Sequence, residues 1–262
     1  MGLSRSVDFE TASCAVLSIF KNAINLLYKG KNMNFLEKIT ELLGTEKYMG
    51  WLFEGLWTTI QVSVFAALLG LVIGTVVAII TISKDSKIMV VPKAICKIYV
   101  TVIRGTPMAL QLFIMAFAVF AIRGFPQVLI AIIAFGINSG AYVAENIRAG
   151  ILSVDIGQTE AGRSLGLPSG TTLIKIVIPQ AIKNVIPAIG NELIALIKET
   201  SIVSMIGMYD LTQAAKVIGA GNNMASYIVP MSVAACFYLA IVYTLSFGIK
   251  LIEKRLRAGD KR

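Results

Sequence analysis

The sequence contains no histidine among its 262 residues. That single absence removes Ser-His-Asp triads, HExxH zinc sites and histidine-ligated haem. Cysteine is scarce: Cys14, Cys96 and Cys236 lie far apart and imply neither a disulfide framework nor a metal set. The pattern GxxxxGK[ST] does not occur, so the chain has no phosphate-cradling loop and cannot hydrolyse ATP by that route. Internal repeats, common in ion-coupled carriers, are not visible. Charged residues fill only 15% of positions and apolar ones 56%, with a mean hydropathy of +0.77. A chain so apolar is not an ordinary soluble domain. It reads as an all-α protein that crosses a membrane several times.

The formal net charge is +9, which would suit nucleic acid if the cations were clustered with aromatics. They are not: they sit at the ends of apolar runs, as the positive-inside bias of membrane proteins predicts, and no nucleic-acid partner is expected. Residues 1–50 read as an extracytoplasmic or interfacial leader, with a patchy amphipathic run from Ala15 to Leu27 and a charged stretch carrying Glu37, Lys38, Glu41, Glu46 and Lys47. Asp8, Glu10 and Lys21 argue against a cleaved signal peptide.

Five spans follow. The first, Leu56 to Ser83, is almost free of charge, exceeds the roughly 20 residues that cross a bilayer, and carries Gly70 and Gly74 as a small-xxx-small pair. Lys84, Lys87, Lys93 and Lys97 come next against a lone Asp85, which assigns that end to the cytoplasm and the N-terminus to the outside. The second, Ala94 to Ile122, is interrupted by Arg104-Gly105-Thr106-Pro107, where proline removes a backbone donor. Arg104 there either snorkels to the interface or faces protein or water. The third, Gln127 to Leu152, turns polar in its second half and places Asn138, Tyr142, Glu145 and Arg148 on one helical stripe. The fourth, Val185 to Met208, carries Asn191, Glu192, Lys198, Glu199, Thr200 and Ser201; residues 209–228 suit an outside loop with some helix. The fifth, Ile228 to Ile252, leads into a basic, cytoplasmic tail that ends with residues 258–262.

Between spans three and four lies Asp155 to Pro187, a stretch that keeps Glu160, Arg163, Lys175 and Lys183. Unpaired charge is costly in hydrocarbon, so the stretch must lie outside it, on the cytoplasmic side. Gly157 and Gly166 bracket a helix through Glu160 and Ala161; Leu167-Pro168-Ser169-Gly170 is a turn, and a second short helix is expected beyond it. Leu165, Leu167 and Ile176 are apolar knobs on this helix-turn-helix, a shape suited to docking on another protein.

The same stretch resembles the EAA signature of permease subunits of bacterial ATP-binding-cassette importers for polar amino acids. That signature reads EAA, three residues, G, nine residues, I-x-L-P, and Glu160, Ala161, Gly162, Gly166, Ile176, Ile178 and Pro179 keep the spacing. Gly162 stands where the signature has alanine and Ile178 where it has leucine. The resemblance extends through Arg104 to Pro107, Asn138 to Glu145, Gly190 to Glu192 and Lys198 to Ser201, covering about residues 50–257.

The resemblance implies a type I importer permease fold in the bacterial inner membrane, with about five helices per chain and cytoplasmic coupling helices. It also implies a second permease subunit, most simply a homodimer, two ATPase subunits that hold ATP and magnesium, and an extracytoplasmic substrate-binding protein. No cofactor is expected in this chain, and no catalysis. Coupling would fall to Glu160, Ala161, Ser164, Leu165, Gly166 and Leu167. An amino acid brings a carboxylate and an ammonium. Glu145 is the first choice for the ammonium, Arg104 for the carboxylate, and Asn138, Asn191, Thr200 and Ser201 for hydrogen bonds. The plainer reading pairs Glu145 with Arg148, pairs Lys198 with Glu192 or Glu199, and uses the asparagines as helix glue. An ion-coupled secondary transporter is the alternative function; an intramembrane enzyme lacks a persuasive catalytic set.

Overall fold

A computed structural model describes residues 35–221 and 227–258. The run Ala15 to Leu27 and the last residues of the basic tail lie outside the described residues. Among the described residues every regular element is helical. Helix α1, Phe35–Gly44, leads into α2, Glu46–Ile82. At 1.5 Å per residue α2 is about 55 Å long, well beyond the thickness of a bilayer core. After a short 3-10 turn come α3, Val90–Gly105, and α4, Met108–Ile114, which continues through a π-helical turn, Met115–Val119. The stretches Lys87–Gly105 and Met108–Val119 meet at a bend of 109°, so the second expected span is an elbow. Helix α5, Gln127–Leu152, is followed by the short α6, Ile156–Ser164. Then α7, Ser169–Thr172, a π turn, α8, Ile178–Glu199, and a 3-10 stretch, Thr200–Ile206, run on as one span, Ser169–Ile206. Helices α9, Leu211–Ala220, and α10, Ile228–Arg257, complete the order.

Helix α5 is the centre of the bundle. It buries Ala131, Ala134, Phe135, Gly136, Asn138, Ser139, Gly140, Ala141, Val143 and Ala144. What lets it sit so deeply is glycine on both sides of the α2–α5 crossing. A Cβ on Gly70 would lie 2.9 Å from the Ser139 side chain, and one on Gly74 would lie 2.6 Å from Val143 Cβ. From the other side, a Cβ on Gly136 would lie 2.6 Å from Leu69, and one on Gly140 would lie 2.9 Å from Ile73. Two glycine pairs, each four residues apart, therefore interlock. Without a hydrophobic drive between helices in lipid, such close backbone approach is what yields dispersion energy. The sequence pointed to the Gly70/Gly74 half of this seam alone.

The structure changes the expected architecture in three places. First, the fourth span starts at Ser169 rather than near Val185. Pro179 reads as a loop residue, yet it stands two residues after the π turn Leu173–Val177, where the backbone register that proline cannot join is already altered. The second short helix of the docking stretch is thus the foot of a span. Second, the helix expected somewhere within residues 209–228 is α9, and it packs into the bundle rather than lying open as a loop. Leu211, Ala214, Ala215 and Ile218 form one apolar face, buried with Leu52, Val229 and Val233. The small residues on that face hid it. Asp210 starts the helix by accepting the Thr212 and Gln213 N–H groups at 3.1 and 2.8 Å. Third, residue 50 is not a boundary, because α2 is already running there; Leu42 of α1 is wholly buried in the same cluster as Leu52.

The bundle has two unlike ends. Thr81 at the close of α2, Lys93 at the start of α3 and Arg148 near the close of α5 line one cleft, so these termini share an end, and α6 follows directly from α5 there. The opposite end is closed by α1, α9 and the starts of α2 and α10.

Candidate translocation path and coupling face

At the basic end, α6 is built as a detachable-looking but well-stopped hairpin arm. Asp155 caps its start by accepting the Gly157 N–H at 2.7 Å. Its stop is a Schellman turn: Gly166 adopts φ of +81°, the Leu167 N–H reaches Gly162 O at 3.1 Å and the Gly166 N–H reaches Arg163 O at 3.0 Å. The glycine of the signature is thus a conformational requirement. Gly162 is buried, and a Cβ there would lie 2.7 Å from Thr172 Cγ2 and 3.1 Å from Ile176 Cδ1. Glycine in place of alanine lets the arm seat against the foot of the fourth span. Glu160, Ala161, Ser164, Leu165 and Gly166 are left exposed, Leu165 at 82% and Ile156 at 71%, while Leu167 is half-buried. Apolar side chains that exposed, held on a capped helix, are a preformed docking face.

A cleft of about 450 Å³ enters the bundle from this end between α2, α3 and α5. Lys93, Lys97, Arg104, Glu145 and Arg148 supply its charge. Lys93 is held at the mouth by Ser83 O at 2.5 Å and by Asp85 at 2.6 Å; the hydrogen bond from Lys93 keeps the Asp85 carboxyl below its ordinary value. Deeper in, Arg148 grips Glu145 with two hydrogen bonds, 2.9 and 2.5 Å long. The pairing at i, i+3 is therefore real, and Glu145 is not waiting unpartnered for a ligand. Arg104 lies over the Tyr142 ring, 5.3 Å from its centroid. It lines the cleft together with Glu145, and Glu192 of the fourth span is partly buried, next in sequence to the exposed Asn191.

The other expected residues do not converge on this cleft. Asn138 is only 6% exposed and donates to Gln111 at 2.9 Å. Thr200 is fully buried and donates to Ile197 O at 2.6 Å. Ser201 donates to Lys198 O and lines a shallow groove with Lys198 and Glu199. Asn191, Lys198 and Glu199 are exposed along the fourth span. Within one chain these residues form two separate polar surfaces, a cleft between α3 and α5 and an open face on α8. Helix α8 is amphipathic, but among the described residues its polar face stays exposed at Asn191, Lys198 and Glu199. Polar side chains in such a position belong against protein or water, not lipid.

Residues 70–258 match the family described as the binding-protein-dependent transport system inner membrane component. A Rickettsia typhi protein assigned as a glutamine transport system permease is 40% identical over 209 residues, 79% of this chain and 93% of its own length. The arginine transport system permease protein ArtQ of Bacillus subtilis is 39% identical over 212 residues, 80% of this chain and 94% of its own length. Among solved structures, a chain from an amino acid ABC transporter crystallised with histidines superposes with a TM-score of 0.75 at 36% identity, covering 86% of this chain and 100% of that one. A chain from an inward-facing MetNI methionine ABC transporter shares the fold, with a TM-score of 0.67 at 20% identity over 81% of this chain and 99% of that one. A match over most of the chain, by sequence and by structure, makes this protein a member of the binding-protein-dependent transport system inner membrane component family.

Proposed function

We propose that this chain is the membrane-spanning subunit of an ATP-driven importer that moves polar amino acids across a bacterial cytoplasmic membrane. The observation that carries the reading is the α6 arm: capped, stopped by Gly166, seated on the fourth span through Gly162, and presenting Glu160, Ala161, Ser164 and Leu165 to a partner. With no phosphate-binding loop of its own, the chain takes its energy from separate ATPase subunits that hold ATP and magnesium. An extracytoplasmic binding protein delivers the substrate, and a second permease subunit, in the simplest case a copy of this chain, covers the polar face of α8. The positive-inside rule puts the basic end and the C-terminus in the cytoplasm, and the N-terminal region outside. Relatives named for glutamine and arginine transport support an amino acid cargo over an ion-coupled carrier's mechanism.

Closure of the ATPase pair around ATP would shift α6. Because Gly162 packs directly on Thr172 and Ile176, the shift passes to the foot of the span Ser169–Ile206, whose far end carries Lys198 and Glu199. A ligand can move such an equilibrium only through contacts that differ between the two states, and the docking face and the polar path supply them. On this path Arg104 meets the substrate carboxylate and Glu145, once released by Arg148, meets the ammonium. Asn191 of α8 and Ser201 of the 3-10 stretch that follows it add hydrogen bonds. Asn138 and Thr200 act by fixing helices.

The test is uptake into proteoliposomes holding the permease and its ATPase, driven by ATP and fed by the binding protein. Glu160→Lys is expected to abolish uptake and ATPase co-purification; intact coupling in that variant would sink the assignment. Glu145→Gln, assayed on a panel of cationic, neutral and acidic amino acids, is expected to slow uptake about tenfold, the scale of one lost charge-assisted hydrogen bond. Unchanged rates across the panel would remove Glu145 from the path.

A further inference from the structure

Gln111 was not singled out by any motif, yet its side-chain amide ties three separate elements together. Pro107 has no N–H, so Ile103 O, four residues before it, loses the donor a continuous helix would provide. Helix α3 also ends at Gly105, leaving its last carbonyls without helical partners. Water is scarce at that depth of a bilayer, and each orphaned carbonyl is costly there. Gln111, on the first turn of α4, reaches back across the elbow. Its Nε2 lies 2.8 Å from Ile103 O, 3.2 Å from Thr106 O and 2.7 Å from Thr106 Oγ1. The carbonyl that proline orphans is the one the amide satisfies.

The other half of the same amide faces the centre of the bundle. Gln111 Oε1 accepts from Asn138 Nδ2 at 2.9 Å, and Asn138 is a buried residue of α5. One side chain therefore joins three elements: the end of α3, the start of α4 and the middle of α5. Neither an apolar residue nor a carboxylate could do this. The elbow side requires donors and the α5 side requires an acceptor, and a primary amide of this length provides both.

We infer that Gln111 is a positioning residue for transport: it bolts the 109° elbow to α5 and thereby fixes Arg104. Arg104 follows Ile103 directly, so the bond to Ile103 O sets where the guanidinium stands against Tyr142 and in the cleft it shares with Glu145. Because α5 is itself locked to α2 by the glycine seam, the bolt refers the elbow to the most rigid part of the molecule. Asn138, expected to bind substrate, acts through Gln111 instead. The elbow geometry stands on its own; the consequence for uptake rests on the reading that Arg104 lines the path.

The test uses the full chain in its transporter complex, with two readouts. Spin labels at the exposed positions Ile95 on α3 and Phe117 beyond α4, in a background lacking the native cysteines, report the elbow angle by pulsed dipolar spectroscopy. Uptake of labelled glutamine and arginine, with ATPase rate measured alongside, reports transport. Gln111→Met removes both functions of the amide, Gln111→Glu keeps only the acceptor, and Asn138→Ser shortens the α5 side. All three are expected to broaden the label distance distribution. The two Gln111 variants should also lower uptake about tenfold while ATP hydrolysis continues, on the scale of losing one buried partner. The paired exchange Gln111→Asn with Asn138→Gln, which keeps two facing amides, should recover part of the narrow distribution. A distribution unchanged in the Gln111 variants overturns the proposal, whatever uptake does. A broadened distribution with normal uptake leaves the bolt standing and instead removes Arg104 from the path. Should Gln111→Met fail to yield monodisperse protein, Asn138→Ser decides, since it leaves the elbow's own hydrogen bonds intact.

Discussion

The α2–α5 crossing and the span Ser169–Ile206 are both long, apolar and helical, yet they are built for opposite purposes. Of the most apolar stretch of α5, 61% is buried inside the chain; of the corresponding stretch of Ser169–Ile206, only 17% is. The first presents glycine to glycine and is complete within one chain. The second keeps Asn191, Lys198 and Glu199 exposed on its surface. Close packing and exposed polarity fall on different helices. The elbow between α3 and α4, bolted to the rigid helix and facing the polar path, stands between them.

The comparison breaks first at the seam. A Cβ on Gly74 would lie 2.6 Å from Val143 Cβ and 2.8 Å from the backbone oxygen of Gly140, and backbone cannot swing aside. Gly74→Leu is therefore expected to destabilise by about 3 kcal/mol or more and to abolish monodisperse protein in fluorescence-detected size exclusion. Normal yield and an unchanged melting midpoint would mean that the seam is not what holds α5.

Next in size comes the polar face. Lys198→Ala should leave the amount and melting point of the protein unchanged but lower ATP-driven uptake about tenfold, because the exposed ammonium serves the path and not the packing of its own chain. Loss of folded protein in step with uptake would move Lys198 into the structural class. A milder effect is expected at Gly190, where an added Cβ would lie 2.8 Å from Ile249 Cδ1, the movable end of a side chain. Gly190→Ala should cost less than about 1 kcal/mol, with the intrinsic helix preference for alanine offsetting part of it. A penalty as large as that at Gly74 would show that the fourth span is as tightly set as the seam.

The smallest effect belongs to Asp85. Its pairing with Lys93 holds its carboxyl below the ordinary value, so any stability it adds is present above that value and fades as pH falls through the lowered one. The side chain is 97% exposed and solvent screens the pair. Asp85→Asn should leave uptake and melting midpoint within error between pH 6 and 8, and a clear loss in either would promote the mouth of the cleft to a functional element.

Much of this was legible in the sequence because hydrocarbon imposes simple rules. Runs such as Leu56 to Ser83 had to be spans, whereas Asp155 to Pro187, expected to lie wholly outside, joins the fourth span from Ser169 onward. Gly166 had to stop a helix, and the structure gives it φ of +81°. Where reading failed, small or exceptional residues misled it. Ala214 and Ala215 concealed the buried face of α9, and Pro179 concealed the continuity of the fourth span because a π turn before it cannot be seen in the letters. The site fared less well. Glu145 and Arg148 were correctly seen as capable of pairing, whereas Gln111 drew no attention as a site residue.

The sequence by itself determined the class and the four or five apolar passages, and it carried the expectations of a docking stretch and of an outside source of energy. Each follows from composition, period or spacing along the chain, which are local properties. Only the tertiary structure decided that Gly136 and Gly140 answer Gly70 and Gly74, that the second span is an elbow, and that Asn138 donates to Gln111. Those facts depend on which side chains from distant segments face one another, and a linear pattern does not carry that information. An amide can bind substrate or close a proline break with the same atoms, and the neighbour across the helix interface chooses between them.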